Sequence, residues 1–462
     1  MSNSRSIVSY GWYVLAASFA ILFVNAGARL MIGVFEKPVI AEFGWSRGQF
    51  SAVIFVNTAV LAASIIVTGH LYDRFGPKWV ILASSLLFSG GLLLTATMDG
   101  LWQFFLFYGV IAGAGLGGIA APIFGAIVSH WFVRARGTAI SMAMSGTSLG
   151  QFALVPLFTM YYLDEGWRST MAWMGLIALI VNVALVFLVL RGDPEYLGKE
   201  PYGRSAGADS GPPAEVDEVT AGEGVIVVHP HVPPRQPRSL GLREAMRTRS
   251  FWLFTVAMFV CGAGDFLLTT HLVAMATDHG VPTSTAVAML AWFGLLSLGG
   301  ILLAGPASDL VGDKIPIAAA FAVRVLVFAL VVRYQTPWAF WVLALGFGFT
   351  FLITAPLTTT LMGRLYGFAY IGLISGFVTT VHHFGGGLWA LLGGVVFDET
   401  GAYTWAMVMS SAASAVALVC TLLIREVRHV APDAIGRAGT GPQTAVTGAG
   451  PWAGAGDGES GR

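Results

Sequence analysis

Charge is the scarcest property of this sequence. Asp, Glu, Lys and Arg together make 11% of the 462 residues, whereas soluble domains average about 25%. A chain with so little charge does not cover an aqueous surface, which excludes a soluble globular protein. Lys plus Arg and Asp plus Glu both number 25, so the formal net charge is zero. Without a basic bias, nucleic acid is not an expected partner.

Cysteine is nearly absent as well. Cys261 and Cys420 both lie inside apolar runs, where a thiol behaves as a small hydrophobic side chain. We therefore expect no disulfide framework, no metal site and no cofactor. The N-terminal segment MSNSRSIVSYGW also lacks a small-residue cleavage site. It is interpreted as leading into a retained first span rather than as a removed signal peptide.

Long apolar runs dominate the rest of the sequence, in which 56% of the residues are apolar. A transmembrane helix needs roughly 20 apolar residues. Twelve runs approach or exceed that length, at residues 11–35, 50–70, 79–98, 102–128, 138–161, 170–190, 251–275, 286–306, 315–333, 338–361, 368–393 and 402–424. The sequence thus predicts an all-α integral membrane protein with twelve transmembrane helices, solvated by lipid.

Two polar segments set the predicted domain boundaries. The segment between the sixth and seventh runs is rich in Gly, Pro, Ala and acidic residues, and such a composition does not bury enough apolar surface to offset its ordering entropy. The C-terminal segment has the same character. We therefore predict a six-helix bundle over 1–192, a flexible cytoplasmic linker over 193–248, a second six-helix bundle over 249–428 and a disordered cytoplasmic tail over 429–462.

The distribution of Lys and Arg predicts the orientation. Cytoplasmic loops carry an excess of these residues, and one set of short loops contains Arg74, Lys78, Arg134, Arg136, Lys314 and Arg364. Both termini lie on the same side as that set. The prediction is a multi-pass protein of the inner (cytoplasmic) membrane with both termini in the cytoplasm.

A repeated turn indicates that the two halves are related. The turn after the second run reads GHLYDRFGPK, residues 69–78, and the turn after the eighth reads GPASDLVGDK, residues 305–314. Each places an Asp five residues before a Lys, with a Gly between them. Matching turns in the two halves are typical of a duplicated transporter.

The first turn, GHLYDRFGPKWV, resembles the loop signature of the major facilitator superfamily, and the resemblance covers essentially residues 8–425. It implies two pseudo-symmetric six-helix bundles around a cavity that opens alternately to each side. It also implies that the turn residues latch the cytoplasmic side, namely Asp73, Arg74 and Lys78 with Asp309 and Lys314 as the weaker copy. A purely topological role for the positive charges is the alternative.

Further stretches resemble the branch that contains monocarboxylate transporters and oxalate:formate antiporters. They are GARLMIGVFEKPVIAEFGWSRGQFS, SHWFVRARGTAISMAMSGTSLGQ, GWRSTMAWMG, THLVAMATDHG and VHHFGGGLWALLGGVVFDETGAY. This resemblance implies a small organic anion as substrate. The chain departs from the branch in its eighth span, which carries no charge, so the usual coupling pair of an Asp and an Arg is missing there.

Ionisable residues inside spans are costly and indicate function. The resemblance to monocarboxylate transporters includes a basic residue at the position of Arg29 in the first helix. Its guanidinium is predicted to bind a carboxylate through two parallel hydrogen bonds. The alternative is an arginine that snorkels to the lipid headgroups. Asp265 has no neutralising neighbour on its own helix and is predicted to couple protons. Its alternatives are an ion pair with Arg324 or a helix-end contact near Gly262.

Other polar residues are predicted around the same cavity. His382 titrates in the range that suits proton transfer or anion contact, although a hydrogen bond between helices explains it equally well. Arg324 is assigned a structural role. The remaining predicted substrate contacts are Asn25, Asn57, Tyr108, Gln151 and Phe351, for which polar helix contacts and core packing are the alternatives.

The sequence therefore predicts a secondary active transporter. Its substrate is a small, monocarboxylate-like anion, moved across the cytoplasmic membrane by alternating access with proton coupling. Carboxylate, protons and lipid are the expected partners, and a monomer is expected. One alternative is an exporter of an amphipathic or cationic compound with Asp265 as its centre, and another is a membrane sensor that does not transport. No nucleophile and base occur together, so an enzyme is not expected.

Overall fold

The computed structural model describes residues 9–132, 136–190, 200–203, 240–367 and 370–425, without the side chains of Asp73 and Arg136. Over these residues the fold is helical. Ten helices are long and apolar enough to cross a membrane. One of them, Arg136–Leu188, is two helices joined at Gly166, whose φ of 83° is not helical. Counting its two parts and adding the glycine-rich helix Ile371–Thr400 gives twelve membrane helices, as predicted.

The helices are numbered here along the chain. They are α1 Tyr10–Phe43, α2 Arg47–Phe75, α3 Pro77–Thr95, α4 Leu101–Trp131, α5 (136–165) and α6 (167–188), α7 Arg249–Asp278, α8 Thr283–Val311, α9 Lys314–Arg333, α10 Pro337–Tyr366, α11 Ile371–Thr400 and α12 Thr404–Leu423. A short helix, Leu242–Ala245, precedes α7. Within each half, only a few residues separate one membrane helix from the next.

The repeated turn has the same backbone in both halves. Gly76, between α2 and α3, has φ 77°, and Gly312, between α8 and α9, has φ 82°. Such positive φ values cost glycine little because it has no Cβ. Each glycine donates its backbone N–H to the carbonyl four residues earlier, which closes the preceding helix. The internal repeat read from the sequence is therefore also a repeat of backbone conformation.

Three of the membrane helices are irregular near their middles. The helix is interrupted at Met31 in α1 and at Leu352 and Ile353 in α10. In α4, residues Phe105–Ala112 form a π-helix, a feature that often marks functional sites. Interrupted membrane helices are tolerated where the protein interior or a cavity satisfies the freed backbone groups. Both Arg29 and Tyr108 lie within or beside these irregular segments.

Glycines bring the two halves into close contact. Gly33 of α1 packs against backbone carbonyls of α7, Gly387 and Gly394 of α11 pack against α2, and Gly294 of α8 packs against Gln151 of α5. In each case the missing side chain lets two helices approach closely. The halves thus meet along α1–α7, α2–α11 and α5–α8.

The contacts between α2 and α11 lie near one end of the bundle. We call the end that carries the start of α1 and the end of α12 the terminal face, and the opposite end the distal face. Contacts between α2 and α11 join residues 47–58 to residues 384–398, in the distal parts of both helices. In the terminal parts, Gly69, Gly372 and Gly376 have open space where a side chain would stand. The glycine contacts between α2 and α11 therefore lie in the distal parts of both helices, and none is formed by these three terminal glycines.

Parts of the predicted linker pack against the bundle. The backbone N–H of Leu240 donates to the carbonyl of Tyr366 at 2.8 Å, and that of Tyr202 donates to the carbonyl of Trp131 at 2.8 Å. The remainder of the linker, and the tail predicted over 429–462, lie outside the described residues.

Candidate functional site

Arg29 lies between the two halves. Its guanidinium carbon is 5.2 Å from the ring centre of Phe266 on α7. It is also close enough to Tyr108 on α4, and to His382 and His383 on α11, for its charge to act on them. Among the described residues, no acidic side chain pairs with Arg29. A guanidinium at this depth without an ionic partner is costly, and such a group is poised to bind an anion.

Asp265 does have an ionic partner. Its Oδ1 lies 3.1 Å from Nη1 of Arg324, and its Oδ2 lies 3.6 Å from Nε2 of His382. Arg324 is 1% exposed. The guanidinium also donates to the carbonyl of Cys261 at 3.2 Å and to that of Thr350 at 3.1 Å. Of the alternatives left open for Asp265, the pair with Arg324 is thus present in the structure.

Cys261, Asp265 and His382 place their ligand atoms within 4.8 Å of one another. The set nevertheless does not fit a resident metal ion, because the Arg324 guanidinium occupies the carboxylate that a cation would need. A second positive group, Arg29, lies nearby. The electrostatics favour a proton or an anion over a divalent cation.

Phe266 connects the two charged groups. It follows Asp265 on α7, its ring faces Arg29, and its centre lies 6.4 Å from the ring of His382 and 5.8 Å from that of His383. Arg29, Tyr108, Phe266, His382 and Asp265 therefore form one continuous group across α1, α4, α7 and α11. We call it the central site.

The other predicted substrate residues make contacts between helices. Asn25 and Asn182 exchange amide hydrogen bonds of 3.4 and 3.1 Å between α1 and α6. The amide of Asn57 donates to the carbonyl of Tyr108 at 2.7 Å. Gln151 donates to the carbonyl of Leu290 at 2.8 Å, across the α5–α8 contact.

Phe351 is in ring contact with Phe293, 4.8 Å between centres, where α8 meets α10. The structure thus brings Arg29, Tyr108, His382 and Asp265 together. It engages the amides of Asn25, Asn57 and Gln151 in contacts between helices, which is the commoner role of such groups in membrane proteins.

The predicted latch residues of the first turn lie at the terminal face. Arg74 stacks beside Phe75 at 5.3 Å, and Nζ of Lys78 lies 4.8 Å from the ring of Phe187. The side chain of Asp73 lies outside the described residues. Among the described residues, the ring contacts of Arg74 and Lys78 are all with the first half.

In the second turn the buried acid is Asp313 rather than Asp309. Asp309 is exposed, whereas Asp313 is fully buried. Asp313 accepts a hydrogen bond of 2.8 Å from Thr360 and lies 3.3 Å from Nε of Arg364. Lys314 donates to the carbonyls at the end of α12, Leu422 at 2.9 Å and Ile424 at 3.2 Å. Both the Asp313–Arg364 ion pair and the Lys314 hydrogen bonds join helices within the second half.

Sequence reasoning missed a second polar group at the distal face, which we call the distal cluster. Its members are Glu36, Lys37, Arg47, His271, Asp278, Asp398 and Tyr403. The first predicted span ends at residue 35 and leaves out Glu36, although α1 continues to Phe43. Glu36 lies about two helical turns after Arg29 and on the same face of the helix. This spacing indicates that the helix and its polar face continue to Glu36.

Glu36 and His271 form the core of the distal cluster, and both are 0% exposed. Nδ1 of His271 lies 3.1 and 3.0 Å from the two carboxylate oxygens of Glu36. The Tyr403 hydroxyl lies 3.1 Å from Glu36 Oε1 and accepts a hydrogen bond of 2.8 Å from Arg47. Buried polar groups in this number are stable only when they satisfy one another.

An outer layer surrounds that core. Arg47 and Lys37 both pair with Asp278, at 2.6 Å each, and Arg47 stacks on the ring of Phe397 at 3.6 Å. The Asp398 carboxylate accepts the backbone N–H groups of Arg47 at 3.0 Å and Gly48 at 2.7 Å, at the N-terminus of α2. The cluster therefore ties α1 and α2 of the first half to α7, α11 and the start of α12 in the second.

Comparison with known families supports the architecture. The family model described as "Major Facilitator Superfamily" matches residues 18–390 and 255–453. The chain is 25% identical over 409 residues to monocarboxylate transporter 13 of Bos taurus, covering 87% of this chain and 86% of that protein. It is 27% identical over 414 residues to monocarboxylate transporter 11 of Homo sapiens, covering 87% and 80%.

A bacterial relative and two solved structures complete the comparison. The uncharacterized MFS-type transporter YcxA of Bacillus subtilis (strain 168) is 23% identical over 412 residues, covering 85% of this chain and 90% of that protein. A bacterial homologue of the lysosomal transporter Spinster, solved inward-facing and occupied, superposes with a TM-score of 0.66 at 15% identity, covering 91% and 97%. The nucleoside transporter NupG gives 0.66 at 12% identity, covering 90% and 100%. Both structures share the fold.

Proposed function

Because the chain belongs to the Major Facilitator Superfamily, whose members are transporters rather than enzymes, we propose that it carries a small carboxylate across the cytoplasmic membrane by alternating access. The observation that supports this most is the Arg29 guanidinium, which lies between the halves without an acidic partner among the described residues. A carboxylate supplies the missing charge through two parallel hydrogen bonds. The names of the mammalian relatives agree with this substrate class.

The surroundings of Arg29 fit a small amphipathic anion. Phe266 offers an aromatic face to the guanidinium, and the buried phenol of Tyr108 is close enough for the charge of Arg29 to act on it. The carboxylate end of the substrate then meets Arg29 and its apolar end meets the rings. Since Arg29 belongs to the first half and Phe266 to the second, a bound substrate contacts both halves and favours the states in which they are close.

Proton coupling is assigned to Asp265 and His382. A proton on Asp265 removes the charge that holds Arg324, and His382 is the neighbouring group able to donate or accept that proton. Arg29 on α1 and Arg324 on α9 thus lie on either side of Asp265 and His382. The anion and the proton would bind within the same central site, where each offsets the charge that the other brings.

The orientation belongs to the same proposal. With both termini in the cytoplasm, the terminal face is the cytoplasmic face and the distal cluster lies at the opposite side of the membrane. The latch of Asp73, Arg74 and Lys78, with Asp309 and Lys314 in the second half, would then engage when the terminal face closes. The protein acts as a monomer in this proposal, since both halves of the cavity come from one chain.

Uptake into proteoliposomes tests the substrate. Formate, acetate, lactate, pyruvate, oxalate and benzoate are offered as radiolabelled anions, with and without an inward proton gradient, to wild type, Arg29→Ala and Arg29→Lys. The matched control is Arg333→Gln, an exposed arginine at the end of α9. We expect uptake of at least one anion to fall by roughly two orders of magnitude in Arg29→Ala, since a charged hydrogen-bond pair contributes about 1.5–3 kcal/mol.

Uptake that is indifferent to Arg29 would contradict the clamp. Absence of uptake for every anion, together with efflux of a lipophilic cation that Asp265→Asn abolishes, would favour the exporter. Binding of a carboxylate without any flux would favour the sensor. A proton gradient that leaves uptake unchanged in wild type would separate exchange from symport.

A further inference from the structure

The hydrogen-bond geometry of the distal cluster determines how many protons it holds. Nε2 of His271 lies 2.9 Å from the carbonyl oxygen of Ala390. A carbonyl oxygen only accepts, so this ring nitrogen must carry a hydrogen. The other nitrogen, Nδ1, faces both oxygens of the Glu36 carboxylate at 3.0 and 3.1 Å. If the ring were neutral, Nδ1 would be unprotonated and would face the ionised Glu36 carboxylate, so two hydrogen-bond acceptors would oppose each other.

One additional proton resolves this conflict. It lies either on Nδ1, giving an imidazolium and a carboxylate, or on Glu36, giving a neutral acid that donates to the ring. The Tyr403 hydroxyl lies 3.0 Å from Nδ1 and 3.1 Å from Glu36, but it has a single hydrogen and satisfies only one of them. The other contact still needs the shared proton, because two unprotonated acceptors at this distance repel.

The charge balance of the cluster leads to the same count. The groups that face the pair are Lys37 on the same helix, Arg47 from α2, Asp278 from α7 and Asp398 from α11. With the shared proton, three basic and three acidic groups balance. Without it, one negative charge is left uncompensated next to Glu36 and His271, whose side chains are fully buried, which is costly.

Opening the distal face would dismantle the pair. Glu36 lies on α1 and His271 on α7, so the movement that separates the two halves separates the carboxylate from the imidazole. Water then reaches both groups, and a solvated histidine releases its proton near pH 6.5. We infer that Glu36 and His271 form a proton-binding site that holds the distal face closed and releases its proton when that face opens.

The sign of the pH dependence follows from this. The closed state holds one proton more than the open state, so raising the pH favours opening. A one-proton difference changes the ratio of closed to open molecules by at most about tenfold per pH unit. This site is separate from the central site, and its role in transport rests on the proposed proton-coupled function. Its effect on the distal face does not.

Distances between two spin labels across the distal face test the inference. The labels are attached at Glu165→Cys and Glu399→Cys, two exposed positions in different halves, in a Cys420→Ser background, because Cys261 is buried. Substrate-free protein is measured from pH 5 to 8.5. In wild type we expect one short distance at low pH and a second, longer distance whose population grows as the pH rises.

Glu36→Gln should remain at the short distance throughout, because its amide N–H donates to Nδ1 as the shared proton does. His271→Gln should lose the pH response as well, which keeps the test valid if either variant folds poorly. The matched control is His279→Gln, a histidine at the same end of α7 that bonds to Gln335 instead and should respond like wild type.

A wild-type distribution that does not change with pH overturns the inference. So does a Glu36→Gln variant that titrates like wild type. The substrate proposal is tested independently, because Arg29→Ala should lose uptake and keep the pH response of the label distance. A protein that carries no carboxylate but opens with pH in a Glu36-dependent manner would refute the proposed substrate and leave the proton site intact.

Discussion

At the residue scale, two arginines within the membrane helices have different environments. Arg324 is buried and has an acidic partner, two backbone carbonyls and the ring of Phe347 at 4.3 Å. Arg29 is partly exposed, faces the ring of Phe266 at 5.2 Å and has no acidic partner among the described residues. A charge in a low-dielectric interior needs compensation from somewhere. Arg324 obtains it from the fold, and Arg29 is proposed to obtain it from the substrate.

The Asp265–Arg324 pair can be tested through stability. Removing one partner strands the other charge, so Asp265→Asn alone and Arg324→Gln alone should each destabilise the protein, by about 3–5 kcal/mol for a buried pair. The double variant should recover a large part of that loss. Apparent Tm in detergent measures all three. Strictly additive losses would show that the two side chains do not interact, and the exposed Arg333→Gln serves as the reference substitution.

At the element scale, glycines rather than large side chains determine where helices cross. A Cβ on Gly262 of α7 would collide with the backbone carbonyl of His382 on α11. That crossing is what places Asp265 beside His382. Membrane helices lack a hydrophobic driving force for association, so close backbone approach at small residues contributes much of their packing.

A pair of alanine substitutions tests this argument. Gly262→Ala should lower the apparent Tm and weaken transport, because overpacking a tight contact typically costs about 1–3 kcal/mol. Gly69→Ala, at a helical glycine with open space around it, should be neutral or slightly stabilising, since alanine favours a helix over glycine. Equal Tm values for the two variants would contradict the close crossing of α7 and α11.

At the scale of the whole molecule, the strongest contacts between the two halves lie at the distal face. The distal cluster, the α2–α11 glycines and the cap of α2 by Asp398 all lie at the same face. Alternating access requires that face to open in turn. Transport should therefore stop when the distal parts of α2 and α11 are joined covalently.

Gly48→Cys with Val395→Cys provides such a crosslink, because a Cβ at position 48 would lie 3.3 Å from Cγ2 of Val395 and disulfides form only between closely spaced side chains. Oxidation should reduce uptake at least about tenfold, because the disulfide prevents α2 and α11 from separating. A reductant breaks the disulfide and should restore uptake. Each single variant is the control. Full uptake by the completely crosslinked protein would exclude movement between these helices.

The sequence by itself determined the class of protein and its main divisions. Backbone groups in lipid must be satisfied within each segment, so the apolar runs alone predicted membrane helices, and the repeated turns at Gly76 and Gly312 predicted two related halves. Ionisable residues are rare in such helices, and Arg29, Asp265 and His382 were identified for that reason.

Only the tertiary structure decided which polar residues meet. Glu36 and His271 are 235 residues apart in the sequence, and no local pattern encodes their contact. The hydrogen bonds of Asn25 to Asn182 and of Gln151 to Leu290 likewise depend on which helix faces pack together. Hydropathy is a sum over neighbouring residues and can be read along the chain. A polar pairing depends on the relative positions of helices, which the packing of the whole molecule determines.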